Sequence, residues 1–233
     1  YYHGEEALGL FSVGAKFAML MALVVEIFRK AWWPIAMDAM HSDDGPETFR
    51  LISRLYVGVG TSSVIVLTLL SPWLVQWLTA SAFHGAWPIV GILAWQGLFY
   101  GFFLIASAGI WKAEKTYLNL YMMGGAAVLG LLLNWALVPS FGGLGAALAT
   151  VITYFIWTVA SMVVSERLWL VSFPVKVFAF QLILAGSLVA WFVLTDFASQ
   201  MLLKLLVGIA LCSLVLGTDL PPEIYARLRK GIE

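Results

Sequence analysis

The chain has 233 residues, of which 62% are hydrophobic and 11% are charged, and its formal net charge is zero. Soluble domains are about 45–50% apolar and about 25% charged, so this composition excludes an ordinary soluble domain. The lack of a net positive charge gives no basis for nucleic acid as a partner. The single cysteine, Cys212, excludes an internal disulfide framework.

Apolar runs long enough to cross a membrane follow one another along the chain. A span needs about 20 apolar residues, and it must satisfy its own backbone hydrogen bonds, which predicts helices. Two runs without Asp, Glu, Lys or Arg, 55–111 and 116–165, are too long for one helix each and are interrupted by Gly, Pro and small residues. The sequence therefore predicts an all-α integral membrane protein, with a bundle over 1–218. Its approximately seven transmembrane helices are expected at about 8–37, 55–79, 87–111, 117–138, 144–164, 175–195 and 198–217.

Two segments are predicted to lie outside the spans on the cytoplasmic side. In the 42–54 loop, Pro46 is placed to start a short helix, which indicates an elbow between spans. The tail, 219–233, spaces Ile224 and Leu228 four residues apart, as a short interfacial helix would. A solvated basic tail that only sets the topology is the alternative.

Among the predicted loops, Lys and Arg occur only in alternate ones. The loops at 81–88, 139–145 and 195–199 contain neither residue. Because cytoplasmic loops carry the excess of Lys and Arg, the chain is predicted to start outside and to end in the cytoplasm. The loop and tail residues that carry this prediction are Arg50, Arg54, Lys112, Lys115, Arg167, Lys176, Arg227, Arg229 and Lys230.

The first predicted span is unusual because it contains charges. Ionisable groups inside a span are costly and suggest function. At 100° per residue, Lys16, Glu26 and Lys30 share one face of the helix, where they would line a polar cavity, while Arg29 points away as an interfacial anchor. Alternatively, Lys16 extends to the outer interface, and Glu26 with Lys30 forms a simple i,i+4 ion pair.

Other polar residues in the spans allow more than one interpretation. Lys204 in the last span suggests a retinal Schiff base, but the third to sixth spans contain no carboxylate counter-ion, so a lysine that snorkels to the interface is favoured. Asn119 and Asn134 are candidates for hydrogen bonds between helices or for polar contacts in a cavity. Gly97 and Gly101 form a GxxxG pattern, which is typical of helix packing.

No catalytic arrangement is present in the sequence. The histidines His3, His41 and His84 fall in separate predicted loops, and the common hydrolase, zinc-protease and nucleotide-binding motifs do not occur. We therefore expect no enzymatic activity, no metal site and no cofactor.

Several segments together resemble one family of transporters. Residues 6–18 read EALGLFSVGAKFA, 31–36 read AWWPIA, 112–116 read KAEKT and 139–150 read PSFGGLGAALAT. In their order and spacing over about 6–165, they are similar to polysaccharide flippases of the multidrug/oligosaccharidyl-lipid/polysaccharide exporter superfamily. Relatives often have Tyr where this chain has Ala15, so any hydroxyl contact at that position is lost.

The resemblance implies the C-terminal lobe of a two-lobe transporter in the bacterial inner membrane. It implies that undecaprenyl-diphosphate-linked oligosaccharides are flipped by alternating access for O-antigen or exopolysaccharide synthesis. The N-terminal lobe would then be a partner outside this chain, which begins at Tyr1 in a polar stretch and is expected to be a fragment. Lys16 and Lys30 would supply positive charge for the diphosphate. A coupling ion, H⁺ or Na⁺, stays open.

Two other functions remain as alternatives. Another exporter of the same superfamily, such as a lipid II flippase or a cation-coupled multidrug exporter, is disfavoured because spans two to six contain no Asp or Glu. A membrane glycosyltransferase or acyltransferase would need a catalytic carboxylate or histidine at the membrane face.

Overall fold

A computed structural model describes residues 4–195 and 201–219. These residues form α1 (Gly4–His41), α2 (Gly45–Leu78), α3 (Trp87–Ala106), α4 (Ala108–Lys112), α5 (Tyr117–Leu168), α6 (Val175–Leu194) and α7 (Met201–Asp219), with a 3-10 turn at Ser81–Ala86. The predicted all-helical class is confirmed for this part of the chain. The predicted tail from 220 onward, with Arg227, Arg229 and Lys230, lies outside the described residues.

Five of the described helical segments are long and apolar enough to cross a membrane: α1, α2, 81–112, α5 and α6. Helix α7 contains a shorter apolar stretch, Leu203–Val215. The helices are therefore compatible with a multi-pass membrane protein, while the number of seven spans stays a prediction.

The longest helix, α5, is a helical hairpin. At Gly142, φ is 54° and ψ is −130°, a left-handed conformation that favours glycine. Ser161 Oγ lies 3.7 Å from Met122 Sδ, although a straight helix would separate these residues by about 60 Å. The two arms, 117–141 and 143–168, therefore run antiparallel and coincide with the predicted fourth and fifth spans.

Helix α2 begins earlier than the predicted second span. Pro46 lies in its first turn, so the sequence signal for a helix start is confirmed. The prediction of an elbow separate from the span is wrong, because the helix continues unbroken from Gly45 to Leu78. Phe49 is fully buried, and its ring packs edge-on against Trp32 and Trp169, with ring centroids 4.8 and 5.1 Å apart. This packing holds the start of α2 inside the bundle.

Helix α3 is the central element, and it packs against α1, α2 and α5. A Cβ on Gly97 would lie 2.7 Å from Met21 Cβ of α1, and a Cβ on Gly101 would collide with the Tyr56 hydroxyl of α2. That hydroxyl donates a hydrogen bond to the carbonyl oxygen of Leu98 at 3.2 Å. The interpretation of the GxxxG pattern as a packing motif is confirmed.

The two arms of α5 differ in their burial. The second arm packs on the core, where Thr158 Oγ1 donates a hydrogen bond to the carbonyl oxygen of Phe99 at 3.0 Å. Ser165 Oγ accepts a hydrogen bond from the Gly109 N–H at 2.7 Å. The first arm, 117–141, contributes no buried residue.

The loops that carry Lys and Arg lie together at one end of the bundle. Arg50 Nη2 donates a hydrogen bond to the carbonyl oxygen of Val171 at 3.0 Å, which ties α2 to the connection between α5 and α6. Lys112 Nζ lies 4.2 Å from the ring centroid of Trp169 in the same connection. We call this end of the bundle the basic end.

The opposite end is formed by loops without Lys or Arg. A Cβ on Gly143, at the tip of the α5 hairpin, would lie 3.3 Å from Ile89 Cδ1 and 3.4 Å from Phe11 Cβ. A Cβ on Gly9 would lie 3.0 Å from Phe83 Cε1 in the 3-10 turn. The start of α1, the turn before α3 and the hairpin tip therefore meet at this end.

The contact between α4 and α5 predicts a difference between two glycines. Gly109→Ala should lower the thermal unfolding midpoint in detergent, because its Cβ would collide with the backbone carbonyl of Ser165, and overpacking costs about 1–3 kcal/mol. Gly125→Ala is the matched control, since nothing lies within 4 Å of its Cβ position. The control should be neutral or stabilise the helix by up to about 1 kcal/mol. Equal midpoints for the two variants would contradict the packing.

Candidate functional site

Three charged side chains on α1 form a cluster. The Arg29 guanidinium donates two hydrogen bonds to the Glu26 carboxylate, from Nη2 to Oε1 at 2.8 Å and from Nε to Oε2 at 2.9 Å. Lys30 Nζ lies 3.6 Å from the same Oε1. We call Glu26, Arg29 and Lys30 the α1 charge cluster, and it carries one net positive charge.

The prediction that Arg29 points away from this face is wrong. Residues three apart are neighbours on a helix surface, and the long Arg29 side chain reaches back over one turn to Glu26. The ion pair between Glu26 and Lys30, which the sequence left open as an alternative, is present. The side chains of Glu26, Arg29 and Lys30 are 42%, 49% and 74% exposed, so the cluster is accessible from one side of the bundle.

A cavity of about 360 Å³ lies beside the cluster, between α1, α3 and the second arm of α5. Glu26 is the charged residue among those that line it, and Gln96, Tyr100 and Tyr154 add polar groups. The rings of Tyr100 and Tyr154 are nearly perpendicular, with centroids 6.4 Å apart. The remaining lining is small or apolar. This arrangement offers hydrogen-bonding groups and two aromatic faces to a polar ligand.

Lys16 is placed apart from the α1 charge cluster. It is exposed on α1, and it lies about 15 Å along the helix from Glu26, at 1.5 Å per residue. Its neighbours Ala15 and Ala18 line the cavity, whereas Lys16 and Lys30 do not. The predicted face of Lys16, Glu26 and Lys30 therefore contributes only Glu26 to the cavity wall.

Asn119 and Asn134 lie on the first arm of α5, away from the cavity described above. Asn134 Nδ2 donates a hydrogen bond to the carbonyl oxygen of Gly130 at 2.8 Å, one turn earlier in its own helix. Asn119 Oδ1 is buried and accepts no hydrogen bond from the described residues. Their role as polar contacts for a substrate stays a prediction.

Lys204 is buried rather than directed toward an interface. Its exposed fraction is 1%, and its Nζ lies 5.2 Å from the ring centroid of Phe192 and 5.9 Å from that of Trp191. The prediction of a snorkelling lysine is wrong because α6 packs these rings around the ammonium group, at a distance where cation–π attraction is effective.

The sequence did not identify Gln96, Tyr100 or Tyr154 as site residues. Gln96 was detectable as a polar side chain within a charge-free span. The two tyrosines were not, because aromatic residues at helical spacing usually belong to the core, and only the packing of α1, α3 and α5 brings them to one cavity.

Within the described ranges, 4–195 and 201–219, no group of three or more His, Cys, Asp or Glu side chains is arranged to hold a metal ion. Among known proteins, the chain matches no protein-family model, no curated protein and no solved structure.

Proposed function

We propose that this chain is a lobe of a bacterial inner-membrane flippase that moves undecaprenyl-diphosphate-linked oligosaccharides during surface polysaccharide synthesis. The observation that carries the proposal is the cavity between α1, α3 and α5 with the α1 charge cluster at its edge. A diphosphate that crosses a bilayer needs fixed positive charge in a water-accessible space. Alternating access would arise from rocking of this lobe against a second one.

The resembling segments support the same proposal through their contacts. A Cβ on Gly143, in the 139–150 segment, would lie 3.3 Å from the carbonyl oxygen of Ala7 and 3.4 Å from Phe11 Cβ, both in the 6–18 segment. Two of the stretches that are similar to polysaccharide flippases therefore pack against each other.

The proposed topology has seven crossings. The two arms of α5 have 25 and 26 residues by their bounds at Tyr117, Gly142 and Leu168, so each is longer than the roughly 20 residues that a span needs. With α7 as the last crossing, the basic end would lie in the cytoplasm.

The cavity also suits the sugar part of such a substrate. A carboxylate and an amide, Glu26 and Gln96, offer several hydrogen-bonding atoms to hydroxyl groups. Tyr100 and Tyr154 provide amphipathic rings with a polar tip. Lys16 would bind the diphosphate at a different stage of the cycle from the α1 charge cluster, because the two are about 15 Å apart along the helix.

A cation-coupled exporter of the same superfamily is the second candidate. The observation in its favour is that the Glu26 carboxylate lines the cavity, where a coupling ion could bind. Against it, both carboxylate oxygens of Glu26 already accept hydrogen bonds from Arg29. Efflux of cationic drugs by the full-length protein, abolished in Glu26→Gln, would favour this candidate.

Loss of the cationic side chains should impair flipping in cells. In strains with Lys16→Ala or Lys30→Ala, lipid-linked repeat units should accumulate, because losing one charge-assisted contact of about 1.5–3 kcal/mol slows transport roughly tenfold or more. Lys115→Ala, which removes a lysine from the basic end, is the control and should leave the level of lipid-linked precursor unchanged. Normal surface polysaccharide in both test strains would overturn the role of these lysines.

The proposed topology predicts the labelling of single cysteines in a Cys212→Ser background. Ala82→Cys and Ser140→Cys, at the end opposite the basic end, should react with a membrane-impermeant thiol reagent in intact spheroplasts. Thr116→Cys, at the basic end, should react only after permeabilisation. Labelling of Ser140→Cys only after permeabilisation would show that the arms of α5 do not both cross the membrane.

A further inference from the structure

We propose that Arg29 and Lys30 form a diphosphate-binding site in which the Glu26 carboxylate competes with the ligand for the Arg29 guanidinium. The inference rests on the proposed function for the source of the diphosphate, and it adds a binding role for Arg29 and a gating role for Glu26. Binding of a diphosphate would displace the carboxylate from the guanidinium.

In the ion pair, Arg29 already binds an anionic group, the Glu26 carboxylate. Arg29 holds both oxygens of Glu26 through Nη2 and Nε at 2.8 and 2.9 Å. A phosphate group offers a similar pair of oxygens, and the planar guanidinium binds phosphate and carboxylate in the same two-pronged way. Lys30 Nζ lies 3.6 Å from Glu26 Oε1, and it provides a second cation beside the Arg29 guanidinium.

The strength of the ion pair makes exchange feasible. Glu26 and Arg29 are both more than 40% exposed, and ion pairs of this exposure contribute little to stability. A diphosphate carries more negative charge than one carboxylate, and it would meet the same two cations, Arg29 and Lys30, that Glu26 contacts. The Glu26 carboxylate therefore lowers the affinity of the site for a diphosphate but does not prevent its binding.

The surroundings of the cluster favour a ligand over a purely structural pair. Charged side chains in contact with hydrocarbon are costly, and a helix as apolar as α1 gains little from three of them. Glu26 also lines the cavity between α1, α3 and the second arm of α5. A diphosphate on Arg29 would thus lie at the mouth of a cavity suited to sugar.

The position of the α1 charge cluster along the bundle agrees with binding of the lipid diphosphate from one leaflet. Trp33, one turn beyond Arg29, packs edge-on against Trp111 of α4 with ring centroids 5.9 Å apart. Lys112, at the end of α4, contacts the connection at the basic end. The α1 charge cluster is therefore close to the basic end, and in the proposed topology it would face the leaflet where lipid diphosphates are made.

The test measures binding of inorganic diphosphate and, in parallel, of a prenyl diphosphate to the full chain in nanodiscs. Glu26→Gln should bind at least one of these probes up to about fivefold more tightly than the unmodified chain, as removal of an exposed competing charge allows. Arg29→Gln should weaken binding at least about tenfold, through loss of charge-assisted hydrogen bonds. Arg29→Lys should also weaken it, because lysine keeps the charge and loses the two-pronged geometry.

Glu114→Gln is the matched control, since it removes the same charge at the basic end outside the cluster, and its affinity should equal that of the unmodified chain. An effect with both probes identifies a site for the diphosphate group itself, and an effect with the prenyl diphosphate alone identifies a lipid-borne diphosphate. Equal affinities of Glu26→Gln, Glu114→Gln and the unmodified chain for both probes overturn the competition. Undiminished binding by Arg29→Gln overturns the site. Neither result decides the proposed function, which the accumulation of lipid-linked precursors tests separately.

Discussion

The arrangement of the bundle depends on the close packing of α1, α2 and α5 against α3. Lipid provides no hydrophobic force that would drive helices together, so association in a membrane relies on close packing and hydrogen bonds. Tyr56 of α2 and Thr158 of α5 donate hydrogen bonds to the carbonyl oxygens of Leu98 and Phe99, which are adjacent on α3. Gly101 makes room for the Tyr56 ring. Helix α3 is thereby fixed between α2 and the second arm of α5, while α6 and α7 pack mainly on α2.

The cavity follows from the same packing. Gly97 lets Met21 of α1 approach α3 closely. Helices α1 and α3, which both line the cavity, are therefore in close contact beside it. Next to it, α1 presents Ala15, Ala18 and Ala22, whose short side chains do not fill the space between α1 and α3. A glycine contact beside a row of alanines thus produces a fixed gap, and the polar groups of Glu26, Gln96 and the two tyrosines stand around it.

The sequence predicted the helices better than the site because the two depend on different information. Apolar runs and Pro46 locate helices through local physics, and the glycine-rich 139–145 stretch located the hairpin tip. The continuity of α2 over 45–54 with the rest of the helix was not predictable, because the local pattern of a short docked helix is the same as that of the first turns of a longer one. Arg29 was assigned to the wrong side because helix angles describe the direction of Cβ and not the reach of a long side chain. The burial of Lys204 likewise depends on the rings of α6.

The two exposed surfaces of the bundle differ in what they can face. The first arm of α5 presents large apolar side chains such as Leu131 and Trp135, exposed at 73% and 77%, and a hydrocarbon environment accommodates such a surface at no cost. The exposed side of α1 carries Lys16 and the α1 charge cluster among its apolar residues, and contact of these charges with hydrocarbon would be unfavourable. This side of α1 is therefore more stable against water or another polar protein surface than against hydrocarbon. In a transporter of two lobes, the surface that lines the pathway has that property. The charges on α1 therefore support the proposed function, in which this side of the helix would line the pathway.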